Sequence, residues 1–425
     1  MNIFYAEEAE KMKKIRFGIF GYSRGESFVK YILANNGEVV AVCDKREDRL
    51  EKAKQKLGDM VTCYTDFEAF ATHDMDAVLL TNYFHEHAQY AISFLERNIH
   101  VLSECTSNAT MAEGVKLVEA AEKSKALYML AENYPFMTFN REMKRIYDGG
   151  SLGKCLYAEG EYNHAGSAYA ASEDERNRKK LLFDSEKHWR NLVPRTYYVT
   201  HSLAPIMYAT GANPVRVTAM PVFAPVPSDC DSAGYVGEKA AIITTLNDDD
   251  SVFKVTGHAS FGASDNSYRL CCERGQVENV RGSGGKVMLR YNGWDKPEDA
   301  EAVNYYQPED TDKDAAMIKL STHGGGDFLV IRKFMECIRE NKRPDFDEYF
   351  ATRMASVAIL AHRSLMEFGV PYDIQISERK RTGKSTATTT RHRSTIPMAE
   401  NRTSLAAQDR IISPVNSRSL ILIRY

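Results

Sequence analysis

The sequence predicts an α/β protein in two parts: an N-terminal doubly wound parallel sheet and a C-terminal α+β part with an open, mainly antiparallel sheet. Two patterns carry this prediction. As far as residue 131, short β-branched apolar runs alternate with longer amphipathic segments, which is typical of parallel strands joined by crossover helices. From Gly153 onward, apolar runs are separated by Gly, Asp and Asn turns, which is typical of antiparallel strands.

The parallel strands are predicted from five apolar runs, and the helices from the segments between them. The runs are IRFGIF (15–20), EVVAVC (38–43), DAVLLT (76–81), HVLSE (100–104) and LYMLA (127–131). The segments EDRLEKAKQKL, HAQYAISFLERN and MAEGVKLVEAAEKS have apolar residues three and four positions apart, which indicates amphipathic helices. Right-handed crossovers place a ligand at the carboxyl ends of such strands, so we expect functional residues directly after each run.

The antiparallel sheet is predicted from KCLYAEGEY, VRVTAMPVFA, KAAIITTL, SVFKVTGHASF, SYRLCCERG and QVENVR. The segment LNDDDSVFKV predicts a hairpin, and the three carboxylates Asp248–Asp250 in its turn are expected to face water rather than a metal ion. Substrate, the first domain or another subunit must cover the exposed face of an open sheet. We therefore expect a homo-oligomer.

Composition favours a globular protein that acts on a small molecule. The 425 residues are 43% hydrophobic and 27% charged, and the net charge is −3, so neither nucleic acid nor a membrane is expected as a partner. The 8 cysteines include no CxxC pair and no zinc spacing, which predicts reduced thiols, a cytoplasmic protein and no structural metal. No apolar stretch is long enough to span a membrane, and no secretion signal is visible at the N-terminus.

A glycine-containing turn follows the first predicted strand. The turn GIFGYSRG (18–25) leads into the helical segment SFVKYILANN, and glycines there let the backbone approach a pyrophosphate at the helix N-terminus. The match to GxGxxG is imperfect, because Ser23 replaces the second glycine and the third falls at Gly25. The residues assigned to this turn are Gly18, Gly21, Tyr22, Ser23, Arg24 and Gly25.

An acidic residue closes the second predicted strand. Asp44 stands 23 residues after Gly21, where a carboxylate accepts hydrogen bonds from the ribose hydroxyls of NAD and repels a 2′-phosphate. The adjacent Lys45 and Arg46 would soften that preference. The sequence thus predicts a Rossmann domain that binds NAD, with NADP the less favoured cofactor. An ordinary tight turn with a solvent-exposed acid is the structural alternative.

Four segments follow from these patterns. We expect a leader at 1–13, an NAD-binding domain at 14–135, a substrate-binding and oligomerisation domain at 136–375, and a basic Ser/Thr/Arg-rich tail at 376–425. The tail has 10 Lys/Arg against 3 Asp/Glu and no sustained periodicity, which predicts disorder. Nucleic-acid binding by the tail is the alternative, and its few aromatic residues disfavour it.

The turns after the later strands carry a family resemblance. Thr81-Asn82 is followed by His87, and the next strand by HVLSECT with Glu104 and Cys105. This combination resembles the Gfo/Idh/MocA family of nicotinamide-dependent sugar and inositol oxidoreductases, whose corresponding strands end in a TPN-like turn followed by a histidine and in HVxxEKP. The resemblance covers roughly residues 14–370 and includes GGDFLVIRKFMECIRENKRPDFD. It implies that the cofactor site also includes Thr81, Asn82, His87, Glu104, Cys105 and Asn133.

One position departs from the family pattern. The family's dehydrogenases have lysine in EKP, which hydrogen-bonds the reacting hydroxyl and assists its deprotonation, and Cys105 stands at that position. A neutral thiol is a poor replacement for an ammonium group. Without a basic neighbour in the sequence, Cys105 is predicted to be a small buried residue rather than a nucleophile.

Further motifs resemble one branch of the same superfamily, the NAD-dependent α-N-acetylgalactosaminidases and related redox-neutral glycosidases, which also lacks that lysine. The motifs are AEGEYNH (158–164), WR (189–190), YVTH (198–201) and HGGGD (323–327). The resemblance implies Tyr162 as general base and Tyr198 with His201 as sugar contacts. His164 and His201 are candidates to supply the positive charge or hydrogen bonds that a tyrosine base needs. Residues Trp189, Arg190, His323 and Asp327 are expected near the substrate. Each residue also has a structural alternative: Tyr162 fits a half-buried strand equally well, and His201 fits a helix cap.

Three functions remain open on this basis. The first is an NAD-dependent oxidoreductase that transfers hydride between a sugar ring carbon, C3 by resemblance, and nicotinamide. The alternative is a redox-neutral glycoside hydrolase that uses transient C3 oxidation, C2 deprotonation and elimination. The third is a dinucleotide-binding regulator without catalysis.

Overall fold

The computed structural model describes residues 13–164, 193–222, 240–257 and 262–375. The predicted tail, nearly all of the predicted leader, and Trp189 and Arg190 lie outside the described residues. Within the described ranges, no helix combines the length and the apolar character that crossing a membrane requires.

The N-terminal part contains a six-stranded parallel sheet, which confirms the predicted fold class. Its strands are β1 Ile15–Phe20, β2 Gly37–Cys43, β3 Thr62–Tyr64, β4 Ala77–Leu80, β5 His100–Ser103 and β6 Tyr128–Leu130. They lie in the order β3-β2-β1-β4-β5-β6, and every neighbouring pair is parallel. The order reverses between β1 and β4, which is where open α/β sheets bind ligands.

Five helices connect these strands: α1 Tyr22–Ala34, α2 Glu47–Leu57, α3 Phe67–Ala71, α4 His87–Glu96 and α5 Met111–Lys123. All five predicted strands are present within one or two residues of the expected bounds. Strand β3 was not among the predicted runs. It has three residues, none of them buried, at the sheet edge, so it lacks the apolar run that marks the other strands.

The C-terminal part contains a nine-stranded, mostly antiparallel sheet. Its strands are β7 Cys155–Asn163, β8 Pro214–Val222, β9 Ala240–Asn247, β10 Val252–Thr256, β11 Asp265–Cys272, β12 Gly275–Asn279, β13 Val287–Tyr291, β14 Val303–Tyr306 and β15 Tyr372–Asp373. They lie in the order β14-β13-β12-β11-β7-β10-β9-β8-β15, with β7 parallel to β10. The predicted hairpin is confirmed as the antiparallel pair of β9 and β10. Strands β13 and β14 were not predicted.

Five helices accompany the second sheet: α6 Thr138–Asp148, α7 Thr200–Thr210, α8 Ala315–Leu320, α9 Gly326–Glu340 and α10 Glu348–Met366. Helix α9 returns to the N-terminal part, where Phe334 contacts Phe17 of β1 with ring centroids 6.1 Å apart. The segment between α9 and α10 bonds the last parallel strand, since the Leu130 N–H donates to the Phe346 carbonyl at 2.8 Å. These contacts hold α9 and the segment after it against the first sheet.

Candidate functional site

The turn between β1 and α1 depends on a glycine. Gly21 has φ +93°, and its N–H donates to the Cys43 carbonyl at 2.8 Å. A methyl group at Gly21 would place its carbon 2.6 Å from the Thr81 carbonyl oxygen, and the Thr81 hydroxyl donates to the Gly21 carbonyl at 2.5 Å. The turn therefore packs directly against the end of β4 and leaves the α1 N-terminus, with the exposed Ser23, free to face a ligand.

The other two glycines of the motif serve packing. A methyl group at Gly25 would lie 2.4 Å from Ile19 Cγ2, and one at Gly18 would lie 2.4 Å from Met75 Sδ. Gly25 thus lets α1 approach β1, which is the role of the third glycine in a dinucleotide-binding turn. Gly18 lies against side chains that cover the sheet.

Asp44 is held in a defined orientation at the carboxyl end of β2. Its carboxylate accepts from the Tyr22 N–H at 2.7 Å and from the Arg46 N–H at 3.0 Å. The neighbouring cations are engaged elsewhere: Arg46 forms a two-point ion pair with Asp48 at 2.9 and 2.8 Å, and Lys45 lies 4.8 Å above the Tyr83 ring. This arrangement suits ribose hydroxyls better than a 2′-phosphate.

Two side-chain amides beside this turn have buried atoms without a partner in the described part of the chain. They are both polar atoms of Asn82 and Oδ1 of Asn133. Buried amide atoms are costly when they are not hydrogen-bonded, so a polar ligand at this edge would stabilise them. Together with the glycine turn and Asp44, these atoms fit a bound NAD.

His87 lies at the start of α4 and is almost fully buried. Its Nδ1 lies 2.9 Å from the Thr106 carbonyl, and burial lowers the pKa of the imidazole. A neutral His87 whose Nδ1 carries the hydrogen therefore holds the segment that follows β5, rather than supplying positive charge.

A buried carboxylate joins Cys105 to His201. Glu132 follows β6 and is fully buried; its Oε1 accepts from His201 Nδ1 at 2.8 Å and its Oε2 accepts from Cys105 Sγ at 3.1 Å. Burial raises the pKa of Glu132, but the electrostatic interaction with His201 and the hydrogen bonds from His201 and Cys105 outweigh it, so the pKa lies below its usual value. Glu132 is thus ionised and only accepts hydrogen bonds.

These protonation states define the roles of its two partners. Burial and the nearby Glu132 raise the pKa of the Cys105 thiol well above its usual value, so Cys105 remains a neutral donor and not a thiolate. Because Glu132 only accepts, His201 Nδ1 must carry a hydrogen, and the lone pair of a neutral imidazole lies on Nε2.

Aromatic rings surround His201. Tyr134 stacks on the imidazole with centroids 4.0 Å apart, and Tyr162 and Tyr198 meet it edge-on at 4.9 and 5.1 Å. Tyr162 also stacks with His164 at 5.9 Å. Tyr198 stacks on a further ring, that of Phe84 after β4, at 5.3 Å. The structure therefore brings together all four residues predicted to be catalytic, and we refer to Phe84, Tyr134, Tyr162, His164, Tyr198 and His201 as the aromatic cluster.

Glu132 and Tyr134 were missed by the sequence analysis. Both follow LYMLA, the last predicted parallel strand, so the expectation that functional residues lie directly after each run was the signal that could have found them. The sequence could not reveal that Glu132 is fully buried, since an isolated glutamate usually lies in solvent. Burial raises the pKa of Tyr134, which keeps its hydroxyl protonated.

The two remaining predicted substrate residues in the described ranges lie beside this cluster. His323 has a ring centroid 6.1 Å from that of Tyr134, and its Nδ1 lies 3.0 Å from Asp327 Oδ2. Asp327 is fully buried. Arg24, predicted to bind the cofactor, forms ion pairs with Glu104 and Asp327. In the described ranges, no group of three or more His, Cys, Asp or Glu side chains is arranged to hold a metal ion.

Comparison with family models agrees with this geometry. Residues 15–132 match the model of an oxidoreductase family with an NAD-binding Rossmann fold, Gfo/Idh/MocA. Residues 289–377 match the C-terminal domain of glycosyl hydrolase family 109. The chain is therefore an NAD-binding enzyme whose N-terminal domain has the fold of the Gfo/Idh/MocA oxidoreductases. Specifically, it combines a Gfo/Idh/MocA Rossmann domain with a C-terminal domain of the family 109 type.

Individual relatives and solved structures are similar to this chain over most of its length. A glycosyl hydrolase family 109 protein from Streptomyces filamentosus is 24% identical over 412 residues, which cover 86% of this chain and 78% of that protein. Levoglucosan dehydrogenase in complex with NADH and L-sorbose has a TM-score of 0.70 at 14% identity, covering 86% of this chain and 100% of that one. Myo-inositol 2-dehydrogenase from Lactobacillus plantarum has a TM-score of 0.62 at 16% identity, covering 85% and 100%.

Proposed function

We propose that this protein oxidises a ring carbon of a sugar with NAD, and that its net reaction is redox-neutral cleavage of a glycoside. The single observation that carries the proposal is the Glu132–His201 pair beside the neutral thiol of Cys105. The chain thus has an imidazole and tyrosines where a lysine would serve a simple dehydrogenase. The family 109 match of residues 289–377 supports the same conclusion.

The cofactor site combines the glycine turn, the oriented Asp44 and the end of β4. Gly21 and Ser23 would hold the pyrophosphate, Asp44 the adenosine ribose, and Asn82 a polar group of the cofactor. Bound there, NAD would serve as hydride acceptor and later as hydride donor. Glu104, after β5, orients the Cys105 backbone by accepting its N–H at 3.2 Å.

His201 is the proposed acceptor of the sugar hydroxyl proton. Glu132 fixes the imidazole with the hydrogen on Nδ1, so Nε2 is the basic atom. The ionised Glu132 also stabilises the imidazolium that forms when Nε2 takes the proton, as a buried carboxylate does for other catalytic histidines. Stacking on Tyr134 holds the ring plane.

Tyr162 is the proposed base for the neighbouring carbon. A ketone at C3 of a sugar acidifies the C2 proton, and Tyr162, acting as the tyrosinate, takes that proton on its oxygen while the C1–O bond breaks. The C2–H electron pair becomes the C1–C2 double bond, and the leaving group departs with the C1–O pair. Water then adds to C1 and a proton returns to C2. Return of the hydride to C3, and of a proton from His201 Nε2 to the C3 oxygen, would complete the cycle and restore the sugar framework. Tyr198, stacked on Phe84, is placed to contact the sugar.

The wider organisation that we propose follows the sequence expectations. Residues 14–135 would bind NAD, and residues 136–375 would bind the sugar and form a homo-oligomer through the outer face of the nine-stranded sheet. That face carries Glu159, which pairs with Lys254 and with Arg269 at 3.0 Å each. A cytoplasmic location is part of the same proposal.

Turnover of nitrophenyl glycosides by the full chain tests this function. We expect nitrophenol release without net accumulation of NADH, together with exchange of the C2 hydrogen in deuterated water. NADH that accumulates in proportion to a free sugar would mean net dehydrogenation. NAD binding without either reaction would favour the regulatory alternative.

A tyrosine pair on β7 provides the matched control. Tyr162→Phe should abolish C2 exchange. Tyr157→Phe should not, because Tyr157 lies on the opposite face of the strand, where its hydroxyl donates to Glu159 at 2.6 Å. Intact exchange in Tyr162→Phe would refute the assignment of the base.

A further inference from the structure

A buried ion network connects the cofactor turn to the C-terminal part of the chain. The Arg24 guanidinium donates to Glu104 Oε1 at 2.8 Å, and to Asp327 Oδ1 and Oδ2 at 2.9 and 3.0 Å. The Arg24 side chain is 31% exposed and that of Asp327 is 0% exposed. Two-point pairing of this kind fixes both distance and orientation.

Asp327 is the centre of this network. Besides Arg24, its carboxylate accepts from Asn133 Nδ2 at 2.6 Å, from the Thr322 hydroxyl at 2.5 Å and from His323 Nδ1 at 3.0 Å. One carboxylate therefore contacts the cofactor turn, the segment that contains Glu132 and Tyr134, and the turn that carries His323. None of these three segments is a sequence neighbour of another.

The backbone around Asp327 is shaped to allow this position. His323, Gly324 and Gly325 have φ of +54°, +57° and +95°. A methyl group at Gly326 would lie 2.3 Å from the Asn133 carbonyl oxygen. The chain thus uses three successive left-handed residues and a close backbone contact to bring the carboxylate beneath Arg24.

Arg24 and Asp327 are both charged in this network. Burial alone would raise the pKa of Asp327, but the hydrogen bonds from His323 and Arg24 and their charges lower it far below its usual range. Arg24 is therefore committed to two carboxylates. Its guanidinium is not a free cation for a pyrophosphate, although Arg24 lies within the glycine turn.

We propose that Asp327 is a positioning residue that couples the NAD site to the sugar site, in place of the direct substrate contact expected from the sequence. Through Arg24 it holds the cofactor turn, and through Asn133 and His323 it holds the side that faces the sugar. Asp327 lies buried between the two sites, and loss of its charge weakens the binding of both NAD and the sugar. The sugar half of the inference rests on the proposed function, and the NAD half does not.

Titration of the purified full chain with NAD tests the proposal. Asp327→Asn keeps the shape but loses the charge, and we expect the NAD dissociation constant to rise at least about fivefold, the lower end of usual coupling between sites. In turnover of the nitrophenyl glycoside, KM should rise more than kcat falls. The double variant Arg24→Met/Asp327→Asn should bind NAD no more weakly than the worse single variant, because both changes break one network.

The matched control is Asp312→Asn. Asp312 pairs at 2.6 Å with Arg332, which lies on α9 as Asp327 does. Asp312 makes none of the network's contacts, so the NAD affinity of Asp312→Asn should stay within about twofold of the wild type. Thermal unfolding of both variants measures their stability alone. A loss of NAD affinity in Asp327→Asn but not in Asp312→Asn therefore separates positioning from general destabilisation.

Two results would overturn the inference. One is a folded Asp327→Asn protein whose NAD affinity changes less than about fivefold, and the other is independent effects of the two substitutions in the double variant. If Asp327→Asn does not fold, Arg24→Lys tests the same bond, because it keeps the charge but cannot pair at two points. If only the sugar reaction fails, the NAD titration still tests the role of Asp327. The failure of one proposal can therefore be distinguished from the failure of the other.

Discussion

Single residues decide the chemistry at the sugar side of the cofactor. A buried glutamate that accepts from both an imidazole and a thiol is only stable because each oxygen has a donor. This makes Glu132 the group that requires a hydrogen on His201 Nδ1 and keeps Cys105 neutral. In the proposed mechanism, two residues from distant segments, Glu132 and His201, take the place of the missing lysine.

Glu132→Gln tests this view of the site. The amide has the same shape but can donate as well as accept, so it no longer requires the hydrogen on His201 Nδ1 and no longer stabilises an imidazolium. We expect kcat to fall at least about 100-fold, with NAD affinity little changed. Glu348→Gln is the control, because Glu348 at the start of α10 is also a buried acid but pairs with Arg343 in the segment before that helix. Unaltered kcat in Glu132→Gln would contradict the role.

Asp312 contributes stability that depends on pH. The hydrogen bond from Arg332 lowers the pKa of Asp312 to about 2, below that of an unfolded aspartate near 4. A carboxylate with a depressed pKa stabilises the fold above about pH 4 and loses that contribution as the pH falls towards 2. We expect Asp312→Asn to cost about 1 kcal/mol at pH 7, after allowance for partial exposure. Urea unfolding at pH 7 and at pH 3 should show that the difference shrinks, and a constant difference would argue against the ion pair.

Among the elements, the contact between β7 and α7 sets the distance between Tyr162 and His201. Gly160 of β7 lies so close to α7 that a methyl group would fall 1.9 Å from the Ser202 carbonyl oxygen. Ser202 follows His201 directly, and Gly160 precedes Tyr162 by two residues on the same face of the strand. The spacing of the two proposed catalytic groups thus depends on this glycine.

Gly160→Ala should separate α7 from β7 and uncouple catalysis from cofactor binding. A misplacement of about 1 Å costs about 100-fold in rate, so we expect a loss of that order in kcat with NAD affinity retained. The control is Gly275→Ala, where a methyl group would lie 2.1 Å from the Arg290 carbonyl oxygen in strand β13. It should destabilise the fold similarly, by about 1–3 kcal/mol, but leave kcat unchanged. Equal kcat losses in both variants would refute a local effect.

For the whole molecule, NAD binds at a site to which several segments contribute. The glycine turn, the end of β2 and the end of β4 all lie in the first sheet, and Asp327 connects the turn to α9. A ligand that binds only the folded state raises its stability by mass action. The cofactor should therefore stabilise the chain as one unit.

Thermal unfolding with added cofactor tests this expectation and the specificity of Asp44. NAD at about 100 times its dissociation constant contributes about 2.7 kcal/mol, which we expect to raise Tm by a few degrees. NADP at the same concentration should have little effect, because Arg46 pairs with Asp48 and Asp44 repels a 2′-phosphate. In Asp44→Ala the difference between the two cofactors should narrow. Equal stabilisation by NAD and NADP in the wild type would contradict the assignment.

Local patterns accounted for the architecture and the cofactor turn. Period-two and helical spacing located most strands and helices because side chains on one face must be apolar to pack against the core. Strands β3 and β14 escaped because short, exposed strands carry little apolar signal. Strand β13 has an apolar run that the sequence analysis did not use. Gly21 and Asp44 were identifiable because a tight turn and a strand end place them within one βαβ unit.

By itself, the sequence determined the α/β class and the NAD-binding domain, and its resemblances predicted which side chains contact a sugar. Only the tertiary structure decided which of these groups meet. Glu132 and His201 are 69 positions apart, and Arg24 and Asp327 are 303 apart. Such contacts depend on how whole elements pack, and the burial that lowers or raises a pKa exists only after packing is complete. Local spacing therefore predicted the elements, while long-range packing determined the charges, the proton positions and the coupling between the two sites.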